Sequence, residues 1–258
     1  MRIVTLVENT ARRQDLTAEH GLSLYIETEN HKILFDAGQS EAFAENAKKL
    51  GVDLTQTDLA VLSHGHYDHG GGLAKFLEAN DHAPIFLSPY AFEGHYNASD
   101  KDIGLDLGLQ ENVRIRFASE EQQIGEGLTL YSAIPCPEPI RPFGLTVREK
   151  GALVPEDFRH EQYLLIEEEG KKILISGCSH RGILNIVRFF RPDVLIGGFH
   201  FMKMDPEGEA LEAAAAQLKR YHTVYYTGHC TGEAQFDRLK TILGSQVHSL
   251  YTGKEIIL

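Results

Sequence analysis

The chain has 258 residues, 42% of them apolar, enough for a sizeable core in one large domain or two small ones. Lys and Arg number 25 against 37 acidic residues, and the resulting net charge of −12 argues against non-specific binding to nucleic acid or to an anionic membrane. Cys136, Cys178 and Cys230 are odd in number and widely spaced, which argues against a disulfide framework; nothing after Met1-Arg2 reads as a signal peptide and no apolar run reaches membrane-spanning length, so a reduced, cytoplasmic setting is expected.

Residues 3–7 and 22–26 read as strands, the second running into the polar turn Glu27-Thr28-Glu29-Asn30, and 32–35 as a third that ends at Asp36. A helix is expected from about Ser40, with Phe43, Ala47 and Leu50 on one face and Gly51 as its stop. The apolar stretch 59–62 is short enough for a buried strand. It runs into Ser63-His64-Gly65-His66-Tyr67-Asp68-His69-Gly70-Gly71-Gly72, after which Leu73, Ala74, Phe76 and Leu77 keep helical spacing. Three histidines and an aspartate therefore sit on a tight turn from a strand end into a helix start, where glycines permit close backbone approach. Such a cluster predicts a divalent transition-metal site, with zinc the first choice for nitrogen and oxygen ligands. His64 and His66 would reach one ion; Asp68 and His69, displaced by the turn, a second. The bland alternative is a set of exposed turn histidines, which four ligand-type residues in six positions disfavour.

A strand follows at 84–88, and from residue 89 to about 159 the periodicity weakens. Within that stretch Ile134-Pro135-Cys136-Pro137-Glu138-Pro139-Ile140-Arg141-Pro142 carries four prolines in nine residues, which excludes a helix and predicts a stiff extended loop. It is either a wall or lid over the site or an inert surface excursion. Strands are then expected at 163–166, 172–175, 194–196, 224–226 and 254–258, and helices near 182–190, 207–221 and 233–243, the middle helix with Ala213 to Ala216 for close packing. No repeat and no linker divides the chain. Residues 1–258 read as one domain with a loop-rich insertion around 89–159.

The His-x-His-x-Asp-His pattern after an apolar strand resembles the metallo-β-lactamase superfamily. Glu19-His20-Gly21-Leu22-Ser23, Leu34-Phe35-Asp36-Ala37-Gly38, Ser176-Gly177-Cys178-Ser179-His180, Gly197-Gly198-Phe199-His200 and Gly228-His229-Cys230-Thr231-Gly232 are together similar to its dihydropterin–ribofuranosylaminobenzene-phosphate synthase-like branch. The resemblance covers nearly the whole chain and implies an α/β (α+β) fold, a four-layer αββα sandwich, with two metal ions. It also implies further ligands. His229 matches the last metal histidine, in the shell of the second ion. Cys178 stands where an aspartate usually bridges both ions, and either Cys178 or the neighbouring His180 would supply that ligand. His160, ahead of the strand at 163–166, has the relation expected of the first ion's third histidine. Asp36 would orient a metal histidine through a hydrogen bond, its alternative being a helix cap. His200 and His20 match positions near the site that contact substrate or move a proton.

Two ions about 3.5–4 Å apart polarise an electrophile and generate hydroxide at neutral pH. The expected function is therefore metal-dependent hydrolysis of an ester, lactone, amide or phosphoester in a small molecule, with Asp68 and His200 as catalytic groups. The alternatives are a transferase joining dihydropterin pyrophosphate to an aminobenzene riboside phosphate, and a non-hydrolytic metal-binding sensor. Zinc is preferred over manganese or iron, because His66 stands where flavin-linked di-iron relatives carry a glutamate. The expected partner is a small molecule, phosphorylated in one version, for which Arg141, Arg181 and Lys203 are loop cations within reach; nucleic acid and membrane are not expected. The sequence leaves the oligomeric state open.

Overall fold

The computed structural model describes residues 1–258. Its first part runs β1 (Arg2–Val7), β2 (Ser23–Glu27), β3 (Lys32–Phe35), α1 (Ala42–Lys49), β4 (Leu59–Val61), the single turn α2 (Tyr67–Gly70), α3 (Leu73–Ala79) and β5 (Ile85–Leu87). Next come β6 (His95–Tyr96), β7 (Ile115–Phe117), β8 (Glu121–Gly125), β9 (Leu128–Tyr131), β10 (Thr146–Glu149) and β11 (Ala152–Pro155). The last part runs β12 (Tyr163–Glu168), β13 (Lys171–Ile175), α4 (Ile183–Phe190), β14 (Val194–Ile196), α5 (Glu209–Leu218), β15 (Val224–Thr227), α6 (Glu233–Leu243), β16 (Val247–Ser249) and β17 (Glu255–Ile257).

Alternate residues of the central strands serve different cores, because successive side chains leave a strand on opposite faces. Ile3, Leu24, Ile26, Ile33 and Phe35 point inward, where they meet Leu164, Ile166, Ile173, Ile175 and Ile196 from the other sheet. Their neighbours Val4, Tyr25 and Leu34 point outward and are covered by Phe43 and Ala47 of α1 and Leu73 and Phe76 of α3. On the far side Tyr163, Leu165, Leu174 and Leu195 pack under Ile186 and Val187 of α4, Leu211 and Ala215 of α5, and Leu239 of α6. The result is a four-layer αββα sandwich of two seven-stranded sheets, in the orders β17-β1-β2-β3-β4-β5-β7 and β16-β15-β14-β13-β12-β9-β8. Burial on both faces explains why these strands read as nearly unbroken apolar runs. Each such Leu, Ile or Phe contributes about 1.5–3 kcal/mol on burial.

The helix expected from Ser40 begins two residues later. Ser40 Oγ accepts from the Ala42 amide at 3.1 Å and donates to Glu19 Oε2 at 2.6 Å, so it caps α1 from outside. The stretch 89–159 differs from the loop-rich insertion expected there. It holds β7 to β9, which extend both large sheets, and β6, β10 and β11, which form a small three-stranded sheet. These strands are short and half exposed, with burial such as exposed-half-exposed along β8, and so leave no strong apolar period. The proline-rich 134–142 has no helix or strand, as expected.

Strand direction decides where the chemistry gathers. β3 and β4 are parallel, as are β13, β14 and β15, so the loops after Phe35, Val61, Ile175, Ile196 and Thr227 open at one edge of the sandwich. β12 is antiparallel to β13, pairing Leu164 with Ile175, which brings the segment before Tyr163 to the same edge.

Candidate metal centre

Asp36 is the buried anchor of this edge. Its Oδ1 accepts from the Ser63 amide at 2.7 Å, and its Oδ2 accepts from Ser63 Oγ and from His69 Nδ1, each at 2.7 Å. Burial pushes its carboxyl well above the usual carboxylate range, with the Ser63 amide and hydroxyl working against that rise. Asp36 adopts a left-handed φ of 58°, a conformation held by those bonds. Ser63 has spent its proton on Asp36, so its oxygen accepts from His64 Nδ1 at 2.8 Å. Two imidazoles thus have their protons assigned to Nδ1, and each presents a bare Nε2.

His229 is oriented the same way from another part of the chain. Asn9 Oδ1, fixed by the Gly21 amide, accepts from His229 Nδ1 at 2.9 Å, while Glu8 accepts from the His229 backbone amide. The bare nitrogens then converge: His69 Nε2 lies 3.1 Å from His229 Nε2 and 3.2 Å from Cys178 Sγ, and His64 Nε2 lies 3.3 Å from Nε2 of His180, a ring whose Nδ1 has no partner. The Nε2 lone pairs of His69 and His229 repel at 3.1 Å, and a cation between them would turn repulsion into ligation. Burial keeps the rings neutral, holding His64 and His180 well below the ordinary histidine range and His69 at about 3. Neutral nitrogen, thiolate and carboxylate together suit a divalent transition metal.

The ligand atoms form two groups that share a member. His64, Cys178 and His180 make one; His69, Cys178 and His229 make the other. The sequence left Cys178 and His180 as alternatives, and the structure brings both to the site, with Cys178 in the shared position. Burial and the neighbouring Cys230 push the Cys178 thiol up, so it is protonated without a metal, and a bound cation would be needed to ionise it. Asp68 Oδ2 joins the second group, 3.3 Å from His229 Nε2 and 3.7 Å from His69 Nε2. Gly177 is required by closeness: a Cβ there would stand 2.2 Å from Ser63 Oγ and 3.1 Å from His64 Nδ1.

His20 and His200 flank the groups. His20 Nε2 is 3.3 Å from Asp68 Oδ2, and this pairing raises the pKa of the ring, which is 44% exposed. His200 has a left-handed φ of 54° and a ring 4.4 Å from that of His180, and burial lowers its pKa to about 4. His160 is placed apart from the first ligand group. It joins His66, His95 and Glu156 in a separate buried set whose ligand atoms lie within 4.8 Å of one another. His95 and Glu156 carried no signal in the sequence, since both fall in the stretch of weak periodicity. Glu8 and Asn9 were equally silent, because nothing local ties a strand end near the N-terminus to a histidine 220 residues later. Glu161, whose oxygens accept from the His180 and Arg181 amides at 2.7 and 3.0 Å, braces the Cys178–His180 loop and carries no signal of its own in the sequence.

Of the three loop cations, Arg181 donates to the Ser132 carbonyl and Lys203 to the Phe143 carbonyl, so both are spent on holding loops. Arg141 lines a cavity of about 260 Å³, together with Glu138, Pro139 and Phe143 of the proline-rich segment and its border, His180 and His200. The segment is thus a wall beside the metal groups.

A family model described as the metallo-beta-lactamase superfamily matches residues 16–229. A Methanocaldococcus jannaschii protein named 7,8-dihydropterin-6-methyl-4-(beta-D-ribofuranosyl)-aminobenzene-5'-phosphate synthase is 29% identical, over 99% of this chain and 96% of its own. The crystal structure of Tm1679, described as a metal-dependent hydrolase of the beta-lactamase superfamily, superposes with a TM-score of 0.87 at 27% identity, over 100% of this chain and 99% of the other. Zinc-bound PqqB from Methylobacterium extorquens has the same fold, with a TM-score of 0.62 at 13% identity over the whole of both chains. No helix is long and apolar enough to cross a membrane.

Proposed function

The chain belongs to the metallo-beta-lactamase superfamily, and from that premise we propose that it is a dinuclear metal-dependent hydrolase of an ester, lactone or phosphoester bond in a small molecule. The observation that carries this reading is the sharing of Cys178 between two groups of converging ligand atoms. Two divalent ions held there, with zinc the first choice, would supply Lewis acidity and acidify a water to near neutral pH. The residues do the rest. Asp36, Ser63 and Asn9 fix the ring tautomers, and their buried hydrogen bonds keep the nitrogens aimed without reorganisation during turnover. Asp68 holds charge beside the reacting position, and His20 gives it an exchangeable proton partner at the solvent side.

His200 is neutral at working pH and its Nδ1 is buried without a partner, so it offers a hydrogen bond to a substrate oxygen or a place for a proton leaving the reaction. The cavity that it shares with His180 has room for about one small molecule, and Phe199, Phe201, Met204 and Ala214 make that wall apolar. The direct experiment is turnover of p-nitrophenyl esters, bis(p-nitrophenyl) phosphate and simple lactones by zinc-, manganese- and iron-loaded protein in ¹⁸O-water. Metal-dependent turnover with one ¹⁸O in the product supports hydrolysis. Absence of turnover on every substrate with every metal overturns it.

A second reading rests on the likeness to the Methanocaldococcus jannaschii synthase along 99% of the chain. There the metals would serve a diphosphate leaving group, and the chain would join dihydropterin pyrophosphate to an aminobenzene riboside phosphate. Pyrophosphate release that requires both substrates, with no ¹⁸O in the carbon product, would favour this reading over hydrolysis.

A further inference from the structure

The cavity beside the first ligand group is preformed. One of its faces is a stripe of α5, where Ala210, Ala213, Ala214 and Gln217 stand at helical spacings of three and four. Alanine side chains end at Cβ, so this face leaves room that leucine or phenylalanine would fill. Another wall is the proline-rich segment, tied down on both sides of 139–142. Asn185 of α4 accepts from the Glu138 amide at 2.9 Å and donates to the Glu138 carbonyl at 3.0 Å, and Lys203 donates to the Phe143 carbonyl at 2.9 Å. An occupant therefore meets walls already in place, which favours binding.

The walls also restrict what fits. At about 30 Å³ for a water-sized group, a volume of about 260 Å³ takes roughly eight heavy atoms. Phe143, Phe201 and Met204 present apolar surface to them. Of the charged groups, Glu138 is compensated, with its Oε1 3.1 Å from Arg188 Nη2. Arg141 is exposed at the rim and pairs with no other residue, so the free charge here is positive, on a chain whose net charge is −12. His180 lines the cavity and belongs to the first ligand group, so one end of an occupant lies at the metal centre. His200, whose buried Nδ1 has no partner, stands at that same end.

We propose that this cavity selects the substrate: one arm of the cleaved ester or lactone is an apolar chain of roughly eight heavy atoms that carries a carboxylate, held by Arg141 at the rim. The proposal rests on the hydrolase reading above and narrows it to carboxylic esters and lactones. Burial of the chain favours longer arms by about two- to fourfold per methylene until the cavity is full. The carboxylate meets the guanidinium in two parallel hydrogen bonds, which separates this arm from a neutral one of equal length. Small side chains on α5 set the length, and Arg141 sets the charge.

The test uses the full chain loaded with zinc and two series of p-nitrophenyl esters. One runs from acetate to decanoate, and the other consists of the hemiesters of succinate, adipate, suberate and sebacate. In the first series kcat/KM should rise to about the octanoate and then level off; a flat or falling series overturns the proposal. At matched length the adipate and suberate hemiesters should exceed the neutral esters about tenfold, and Arg141→Gln should erase that difference. No difference in the wild type, or one that survives Arg141→Gln, overturns the role of Arg141. Ala214→Leu and the exposed Ala213→Leu should each lower kcat/KM for the octanoate at least about tenfold more than for the acetate, with the zinc content retained; equal losses on both esters overturn the role of α5. Should no ester turn over, the hydrolase reading falls, and calorimetric titration with the free acids decides this one. Suberate binding about tenfold tighter than acetate, lost in Ala213→Leu, would leave the cavity's selection standing, and equal affinities would overturn it.

Discussion

Two sets of buried histidines share the turn between β4 and α3, and they solve opposite problems. Around Cys178 the protons of His64, His69 and His229 have been drawn outward to Ser63, Asp36 and Asn9, so bare nitrogens converge on a space beside a cavity. Around Glu156 the His95 proton points to the carboxylate and the Gly65 amide occupies the His160 Nδ1 lone pair, with His95 and His160 at zero exposure. The same side chain becomes a ligand in one place and a brace in the other. The partner at Nδ1 makes the difference: a side-chain oxygen behind the ring accepts the proton and frees Nε2 for a metal, whereas a backbone amide that donates to Nδ1, as Gly65 does to His160, uses up that lone pair and puts the proton on Nε2. Counting histidines near a motif therefore overcounts ligands unless the hydrogen bond on the far side of each ring is known.

The largest expected effect comes from breaking the converging set. Asp68→Ala should remove about one of the two metal equivalents by elemental analysis and lower turnover on any working substrate by on the order of 10³-fold, with the circular dichroism spectrum unchanged. Retained turnover would place the reacting position away from Asp68.

Asp36→Asn tests the outward pull on the protons. An amide presents one oxygen and an NH₂ where three donors now converge, so at least one donor among the Ser63 amide, Ser63 Oγ and His69 Nδ1 loses its acceptor. The metal-free protein should lose about 1–3 kcal/mol in urea denaturation. Zinc retention against a chelator should fall about 10- to 100-fold. Loss of stability with unchanged retention would mean that Asp36 acts only as a structural anchor.

The metal-free protein should weaken as pH falls. Burial holds His69 at about 3 and His200 at about 4, against an ordinary value of 6.5 in the unfolded chain. Between those values the unfolded state binds more protons, so stability is present above 6.5 and drains away as pH drops towards 4 and then 3. His200 alone accounts for on the order of 3 kcal/mol over that window. The ionised Asp68, held well below its usual range by His69, His20 and His229 against a burial cost, adds to the loss at the acid end. Glu161 and Asp36 are raised by burial and work in the opposite direction. Urea midpoints at pH 7, 6, 5 and 4 in chelator should fall steadily, and saturating zinc at pH 7 should raise the midpoint. A flat profile would show that the converging rings already share protons in the metal-free state.

The smallest effect concerns encounter. With a net charge of −12 the surface slows anionic substrates at low salt. For a phosphodiester, kcat/KM should rise severalfold between roughly 10 and 150 mM salt as the Debye length shortens from about 30 to 8 Å. An uncharged ester should show no such rise.

The sequence alone determined most strands and helices and singled out the turn that carries His64, His66, Asp68 and His69, while the sandwich was implied by the family resemblance. Both signals are local: apolar runs at strand length separated by helical spacing, and a His-x-His-x-Asp-His turn bounded by glycines. Tertiary structure decided everything that depends on two distant segments meeting. Antiparallel pairing of β12 with β13 carried His160 to the site edge, and the Gly65 amide then turned that ring away from the converging ligands. Parallel pairing of β13, β14 and β15 set Cys178, His180 and His229 side by side and gave Cys178 the shared place. His95 and Glu156 lay hidden because a short strand and a turn in a half-exposed region carry no period. A ring's proton is assigned by its neighbour across space, and no spacing along the chain records that neighbour.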